Sequence, residues 1–357
     1  MTEANKNRSG IIRRLVLFVM MAMILSFTVV IPAEAESSGE IVKTSAVPNP
    51  GTELWREVRQ RGGPVVGVTQ VSGVDAGTLV NVSGENWRQF RVEQIIPYSG
   101  YLLGLTLLLL IVFRLIRGEV KIESGRSGHK IFRFSLNQRT IHWVVASLFV
   151  ILGLTGIIQL LGRTLLIPVM GNSAFSGIAS FGKLLHDYLG PVFAIALIFM
   201  LVSFIKGNFY KLKDINWFLN GGGMLGKHAS AGRYNAGEKS WFWLAMLGGA
   251  VIIVSGLILD FPIFDQSRDT MEFYLVIHGI ASIAVLAAAF GHIYMGTVAM
   301  EGALESMTTG YCDANWAKEH HDEWYEEVKD SVDVSSDVKT NNNEASINSN
   351  AQPGIGA

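Results

Sequence analysis

With a single cysteine, Cys312, the chain cannot form an intrachain disulfide, a cluster held by several thiolates, or a covalent CxxCH cofactor attachment. Any metal must be held by other side chains. An excess of charge of one sign is also missing. The 29 Lys and Arg nearly balance 30 Asp and Glu, for a net charge of −1, so there is no electrostatic reason to expect nucleic-acid binding. No internal repeat is visible. Charged residues of both signs reach only 17%, against 49% hydrophobic residues. That is more apolar material than an ordinary soluble core needs, and it points to a membrane protein.

The first 35 residues read as an export signal. Lys6, Arg8, Arg13 and Arg14 precede an apolar run from Leu15 to Ile31, and Ala33-Glu34-Ala35 supplies the small residues of a cleavage site. Cleavage is expected after Ala35. An uncleaved anchor is the competing reading, because the run is long for a signal. Residues 36–96 are mixed and polar, and "PVVGVTQVSG" and "TLVNVSG" resemble strands separated by glycines, so a small extracytoplasmic segment of hairpins is expected. It would serve as a docking surface or as a spacer.

Five apolar stretches follow, near 97–116, 141–162, 184–205, 241–262 and 272–299. Each is long enough to cross a hydrocarbon core of about 30 Å at about 1.5 Å per residue. In lipid they must be helical, since backbone groups have no outside partner there. The expected fold is therefore an all-α integral membrane bundle of about five helices in the mature chain. One additional helix at 97–117 would precede a four-helix membrane domain at 118–300. The connection 113–139 carries Arg114, Arg117, Lys121, Arg126, Lys130, Arg133 and Arg139, and 206–239 carries Lys206, Lys211, Lys213, Lys227, Arg233 and Lys239. The alternate connections hold only Arg163 and Lys183 in one and Arg268 in the other. The basic loops should face the cytoplasm, so the mature N-terminus lies outside and the C-terminus inside. Residues 301–334 read as an amphipathic cytoplasmic tail, and 335–357, rich in Asn, Ser, Asp and Gly, as disordered.

Of eight histidines, His142, His186, His278 and His292 fall within the spans. His129, His228, His320 and His321 fall in loops or tail and are expected at solvated surface. His278 and His292 lie fourteen residues apart, which returns them to within about 40° of one helix face and separates them by about 21 Å. They cannot share a metal. With helices alternating in direction, His186 and His278 come to the outer level, and His142 and His292 to the inner level. Facing histidines at two depths suit two stacked b-type haems, with neutral imidazoles as axial ligands. Proton-relay histidines and another metal are the competing readings, as ionisable residues in a membrane are costly and functional. Gly156, fourteen residues after His142, and Gly249, Ser255 and Gly256 would give a ring room to approach or let helices pack closely.

The loop "GGGMLGKH" nearly matches the phosphate-binding pattern GxxxxGK[ST], but His228 stands where Ser or Thr should hold magnesium and no strand precedes it. A flexible turn is expected instead. The continuation "GRYNAGEKSWFW" brings Tyr234, Asn235, Gly237, Glu238 and Lys239 to the inner level. There, polar donors beside an apolar bundle could grip a quinone and a carboxylate could carry protons, or the stretch could simply start a helix.

Taken together, "RFSLNQRTIHWVVASLFVILGLTGI", "LLHDYLGPVFAIALIFM", "GRYNAGEKSWFW" and "HGIASIAVLAAAFGHIYMGTVAMEGALESMTTGYCDANWAKEHHDEWYEE" resemble the gamma subunit, a cytochrome b, of respiratory formate dehydrogenases. The resemblance spans residues 130–326. The four-histidine arrangement also recurs in cytochrome b subunits of nickel–iron hydrogenases. "NPGTELWREVRQ" through "SGENWRQFR", with the helix at 97–116, is similar to the long form of the subunit, which carries an exported N-terminal extension. The resemblance implies two haem b groups on His186/His278 (outer) and His142/His292 (inner). It further implies an iron–sulfur beta subunit and a molybdenum- or tungsten-containing alpha subunit as partners, and a membrane quinone, ubiquinone or menaquinone, as acceptor. The setting would be the lipid of the bacterial inner membrane, with room for a higher oligomer of the complex. The family's quinone motif falls on Asn235, Ala236, Gly237 and Glu238, where a short-form relative has Gln in place of Glu238. Formate itself would bind a partner, since nothing here resembles a molybdopterin or selenocysteine site. A non-redox membrane anchor or assembly protein is the reading from a different class.

Overall fold

The computed structural model describes residues 56, 59–60, 65–66, 74–223, 229–263 and 265–331. The export signal at 1–35, the C-terminal stretch 335–357 and His228 lie outside the described residues. Strands β1 (Val65–Val66) and β2 (Thr78–Val80) pair antiparallel. The helices that follow are α1 (Val82–Phe90), α2 (Ile96–Arg117), α3 (Leu136–Leu165), α4 (Ile167–Phe204), α5 (Lys213–Leu219), α6 (Ala236–Asp260) and α7 (Arg268–Tyr294), with β3 (Lys130–Phe132) between α2 and α3. Five segments among the described residues are long and apolar enough to cross a membrane: Ser83–Arg117, Leu136–Leu165, Ile167–Phe204, Ala236–Asp260 and Arg268–Ala299. They match the five spans expected from hydropathy.

The first of them starts earlier than expected. In "TLVNVSG" only Thr78–Val80 is strand. Asn81 then caps a helix by accepting from the Gly84 N–H at 3.1 Å, and α1 runs through a π-turn at Arg91–Ile95 into α2. A local cap thus overrides the alternating pattern.

Each later span begins on a residue suited to the task. Ser135 and Gln138 form a capping box at α3, Asn235 and Glu238 form one at α6, and Ser267 accepts from the Thr270 N–H at α7. Gly171, at φ 76°, breaks the backbone within α4, so the long run of that helix follows this residue.

Helix α3 lies along α4 and α6 along α7, while α4 and α6 join the two hairpins and α2 packs on the outside of α7. Gly248 and Gly249 make the close approaches possible. A Cβ on Gly248 would stand 2.6 Å from Val285 Cγ2, and one on Gly249 2.7 Å from Leu197 Cδ2. Gly249 therefore serves helix packing. The opposite helix faces present Leu108, Leu115, Ile198 and Val202 outward, as lipid requires.

A second small core covers one end of the bundle. Strand β3 pairs antiparallel with β4 (Tyr311–Asp313), which follows the single-turn helix α8 (Glu305–Thr308). Helices α9 (Ala314–His320) and α10 (Asp322–Val328) then bury Trp316 and Trp324 with Ile122, Ile131 and Cys312. Asp313 ties this cap together. One of its oxygens accepts from the Ser127 and Gly128 N–H groups, and the other caps α9. The tail is therefore a folded cap.

Candidate cofactor site

The structure brings the four membrane histidines together as two pairs. His186 of α4 faces His278 of α7 with ring centroids 6.0 Å apart and planes at 76°. His142 of α3 faces His292 of α7 at 6.3 Å and 61°. A metal–imidazole bond is about 2 Å and a ring centre lies about 1.2 Å behind its nitrogen, so two imidazoles that shared one ion between them would have centroids about 6.4 Å apart. The two pairs, at 6.0 and 6.3 Å, stand close to that separation. Among the described residues no cluster of three or more His, Cys, Asp and Glu side chains forms a metal site. A macrocyclic iron brings nitrogens of its own and would need only two histidines from the protein. The residues fit a b-type haem at each pair.

The two pairs are supported differently. The Thr155 hydroxyl lies 2.9 Å from His186 Nδ1 and itself donates to the carbonyls of Ile151 or Leu152, each at 3.0 Å. The tautomer that would ligate iron through Nε2 carries its proton on Nδ1, and in that form His186 donates to the Thr155 hydroxyl. His278 Nδ1–H is shared between the Ile252 carbonyl at 3.0 Å and the Ser255 hydroxyl at 3.2 Å. Ser255 is 1% exposed. Space for these rings comes from glycine: a Cβ on Gly256 would stand 3.1 Å from His278 Cε1, and one on Gly156 3.6 Å from His186 Cε1. Gly156 and Gly256 thus make room for the histidine rings themselves.

No such bonds support the other pair among the described residues. His142 Nδ1 is buried without a partner. His292 lies flat against Trp241, centroids 4.7 Å apart and planes at 12°. Both histidines line a cleft of about 2000 Å³ that also reaches Trp217, Asn235, Gly237 and Glu238.

The expected quinone residues are thus beside His142 and His292, but two are already occupied by helix capping. Asn235 Oδ1 accepts from the Glu238 N–H, and Glu238 Oε2 accepts from the Asn235 N–H, each at 2.9 Å. The second Glu238 oxygen accepts from Arg133 Nη2 at 3.0 Å. Glu238 is therefore an anchored acceptor, and the Asn235 amide Nδ2 is the uncommitted donor of the motif. Gly237 admits Trp217, whose Cη2 would stand 2.9 Å from a Cβ there.

Sequence reasoning missed Arg133, His321 and Trp241 as neighbours of this site and placed Lys239 at the right level among possible donors. Arg133, read as a cytoplasmic loop charge, is 3% exposed and lies over the faces of Phe134, Trp316 and Trp324. His321, expected at the surface, is 1% exposed. Its Nδ1–H donates to the Gly232 carbonyl at 2.8 Å, so Nε2 accepts from Arg133 Nη2 at 3.1 Å. Burial, reinforced by the Arg133 charge, lowers its pKa to about 4. Lys239, also counted as a loop charge, is buried with both oxygens of Asp214 at 2.9 and 2.8 Å, which fastens α5 to α6. Trp241 alone had a visible signal, lying one helical turn after Glu238.

The chain resembles known proteins across this region. The family model described as prokaryotic cytochrome b561 matches residues 133–310. The cytochrome b556(Fdn) subunit of the nitrate-inducible formate dehydrogenase of Escherichia coli K12 is 34% identical over 211 residues, covering 56% of this chain and 92% of the relative. The cytochrome b556(fdo) subunit of formate dehydrogenase from the same organism is 29% identical over 204 residues, with 56% and 93% covered. The formate dehydrogenase cytochrome b556 subunit of Haemophilus influenzae is 24% identical over 205 residues, with 56% and 83% covered. Five membrane-crossing helices, two facing histidine pairs and a match that starts at Arg133 and ends at Gly310 lead to one conclusion: the chain belongs to the prokaryotic cytochrome b561 family.

Proposed function

We propose that this chain is the membrane-anchoring cytochrome b subunit of a formate dehydrogenase, and that it passes electrons from an iron–sulfur subunit to a membrane quinone. The observation that carries the reading is the pair of imidazole couples at 6.0 and 6.3 Å, both drawing one ligand from α7. His186 with His278, and His142 with His292, would each hold a haem b. When bound, the haems supply two one-electron carriers at two depths of the membrane.

The chain's own contribution is positional. Thr155, Ser255 and the Ile252 carbonyl would accept hydrogen bonds from the Nδ1–H groups of His186 and His278, which presents the Nε2 lone pairs. At the other end Asn235 Nδ2 offers a hydrogen bond to a quinone carbonyl, with Trp217, Trp241 and His292 lining the cleft. Arg133 holds Glu238 in place, so the capping box keeps Asn235 aimed. Formate oxidation belongs to a partner carrying molybdenum or tungsten. The basic loops argue for the inner bacterial membrane, with the mature N-terminus in the periplasm and the tail in the cytoplasm.

The test is a pyridine haemochrome assay on the purified complex, with identification of the copurifying subunits. Two haem b per chain and a large molybdenum or tungsten subunit are expected. Fewer than two haems defeats the dihaem reading, and a nickel–iron partner replaces formate by hydrogen. For the quinone site, Asn235→Ala should slow haem reoxidation by quinone several-fold with haem content intact; unchanged reoxidation would move the site elsewhere.

A further inference from the structure

We infer that Thr155 and Ser255 set the His186/His278 haem at a lower reduction potential than the His142/His292 haem, so that the protein's own hydrogen bonds give electron transfer its direction. The inference rests on the dihaem reading above. An imidazole that donates its Nδ1 proton to a good acceptor becomes more electron-rich at Nε2, and a more basic ligand stabilises ferric over ferrous iron. Both rings of the His186/His278 couple donate in this way, at 2.9 Å to Thr155 and at 3.0 and 3.2 Å to Ile252 and Ser255. The acceptors are themselves fixed. Thr155 and Ser255 are 5% and 1% exposed, and each hydroxyl spends its own proton on a carbonyl of its helix. With Nε2 committed to iron and the proton on Nδ1, the hydroxyls would accept from the histidines.

The other couple has the opposite support. His142 Nδ1 is buried with no partner among the described residues, and the contact to His292 is the flat indole of Trp241. Neither ring gains basicity from a protein acceptor. The asymmetry sits in the two Nδ1 environments of each couple and involves no difference in ligand type, which is histidine throughout. When bound, the two haems would exchange one electron, and the histidines would keep their Nδ1 protons throughout. With the proposed quinone site beside His142 and His292, electrons would enter at His186/His278, and transfer along the roughly 21 Å between His278 and His292 would run downhill.

Optical redox titration of the purified complex tests this with Thr155→Val, which keeps the shape and removes the acceptor, and Thr155→Ser, which restores it. The wild type should show two waves, and His278→Ala should abolish the lower one. Thr155→Val should raise the lower wave by about fivefold in the ferric/ferrous equilibrium, or about 40 mV at 59 mV per tenfold for one electron. The upper wave should stay, and Thr155→Ser should match the wild type. Ser255→Ala should move the same wave the same way by less, since the Ile252 carbonyl remains. It decides the matter if Thr155→Val fails to assemble. Coincident waves, a shift of the upper wave, or no shift with both haems bound would overturn the inference. A haem count below two would instead defeat the dihaem reading.

Discussion

The two ends of the bundle are built on different plans. At His186/His278, the support comes from hydroxyls and a carbonyl one helix away, all inside the span. At His142/His292, the indole of Trp241 lies against His292, and the cleft beside the pair is lined by a polar group assembled out of the loop before α3, the start of α6 and the C-terminal cap. A closed site needs only helix packing, and its ligands can be fixed rigidly by backbone and hydroxyl. A site that admits a substrate must open to a cleft, and its order has to be imported from more distant parts of the chain. The difference teaches that one end is suited to holding a cofactor and the other to exchanging with the surroundings.

The sharpest way to break the comparison is to remove a ligand from one end alone. His278→Ala should lower haem content from two to one per chain and spare the spectrum of the His142/His292 haem; loss of both would show that the ends are coupled. Arg133→Met should do the reverse and disturb the cap. It leaves the Arg233 carbonyl and one Glu238 oxygen without the Arg133 donor. Because Glu238 is 35% exposed, the expected cost is roughly 2–3 kcal/mol, below that of a fully buried pair. A lowered melting midpoint with the haem at His186/His278 unchanged would bear this out.

Acid should weaken the same end. The folded-state pKa of His321 is depressed to about 4 against an ordinary value near 6.5. The unfolded chain therefore binds the proton more readily, and stability is full above about pH 6.5 and falls as pH drops toward 4. By pH 5 the loss is about 2 kcal/mol. Melting curves of His321→Gln against wild type should converge as pH falls; parallel curves would remove His321 from the account. The smallest effect separates two glycines. Gly256→Ala places a Cβ 3.1 Å from His278 and should shift the α-band of one haem, whereas Gly156→Ala, at 3.6 Å from His186, should leave both spectra intact.

The legibility of the sequence divides along the same line. The histidine pairs follow from local rules: helical rise, a fourteen-residue interval and the alternation of helix direction. Those rules act within one or two elements, so hydropathy and spacing expose them. Arg133, Lys239 and His321 obey no such rule. The first two look like ordinary loop cations, yet each is buried because a partner far along the chain, Glu238 or Asp214, meets it there. His321 sits in a polar, aromatic tail, and nothing in its neighbours reveals that Gly232 and Arg133 will enclose it. Asn235 and Glu238 were legible as a motif, but their capping box shows that part of the pattern starts a helix.

The pairing of β3 with β4 also dictates an order of assembly. Arg133 and His321 are separated by 188 residues, and every family helix from α3 to α7 lies between them. During synthesis Arg133 emerges early and waits while the remaining spans are laid into the bilayer. The Arg233 carbonyl and Glu238 precede the last helix, but His321 arrives only when that helix is in place and the tail has folded back. The clasp therefore acts as a completion mark. A chain truncated before β4 would retain all four histidines, yet it would leave the cleft end of the bundle unfinished, with Arg133 lacking His321 and the indoles of Trp316 and Trp324 that cover it.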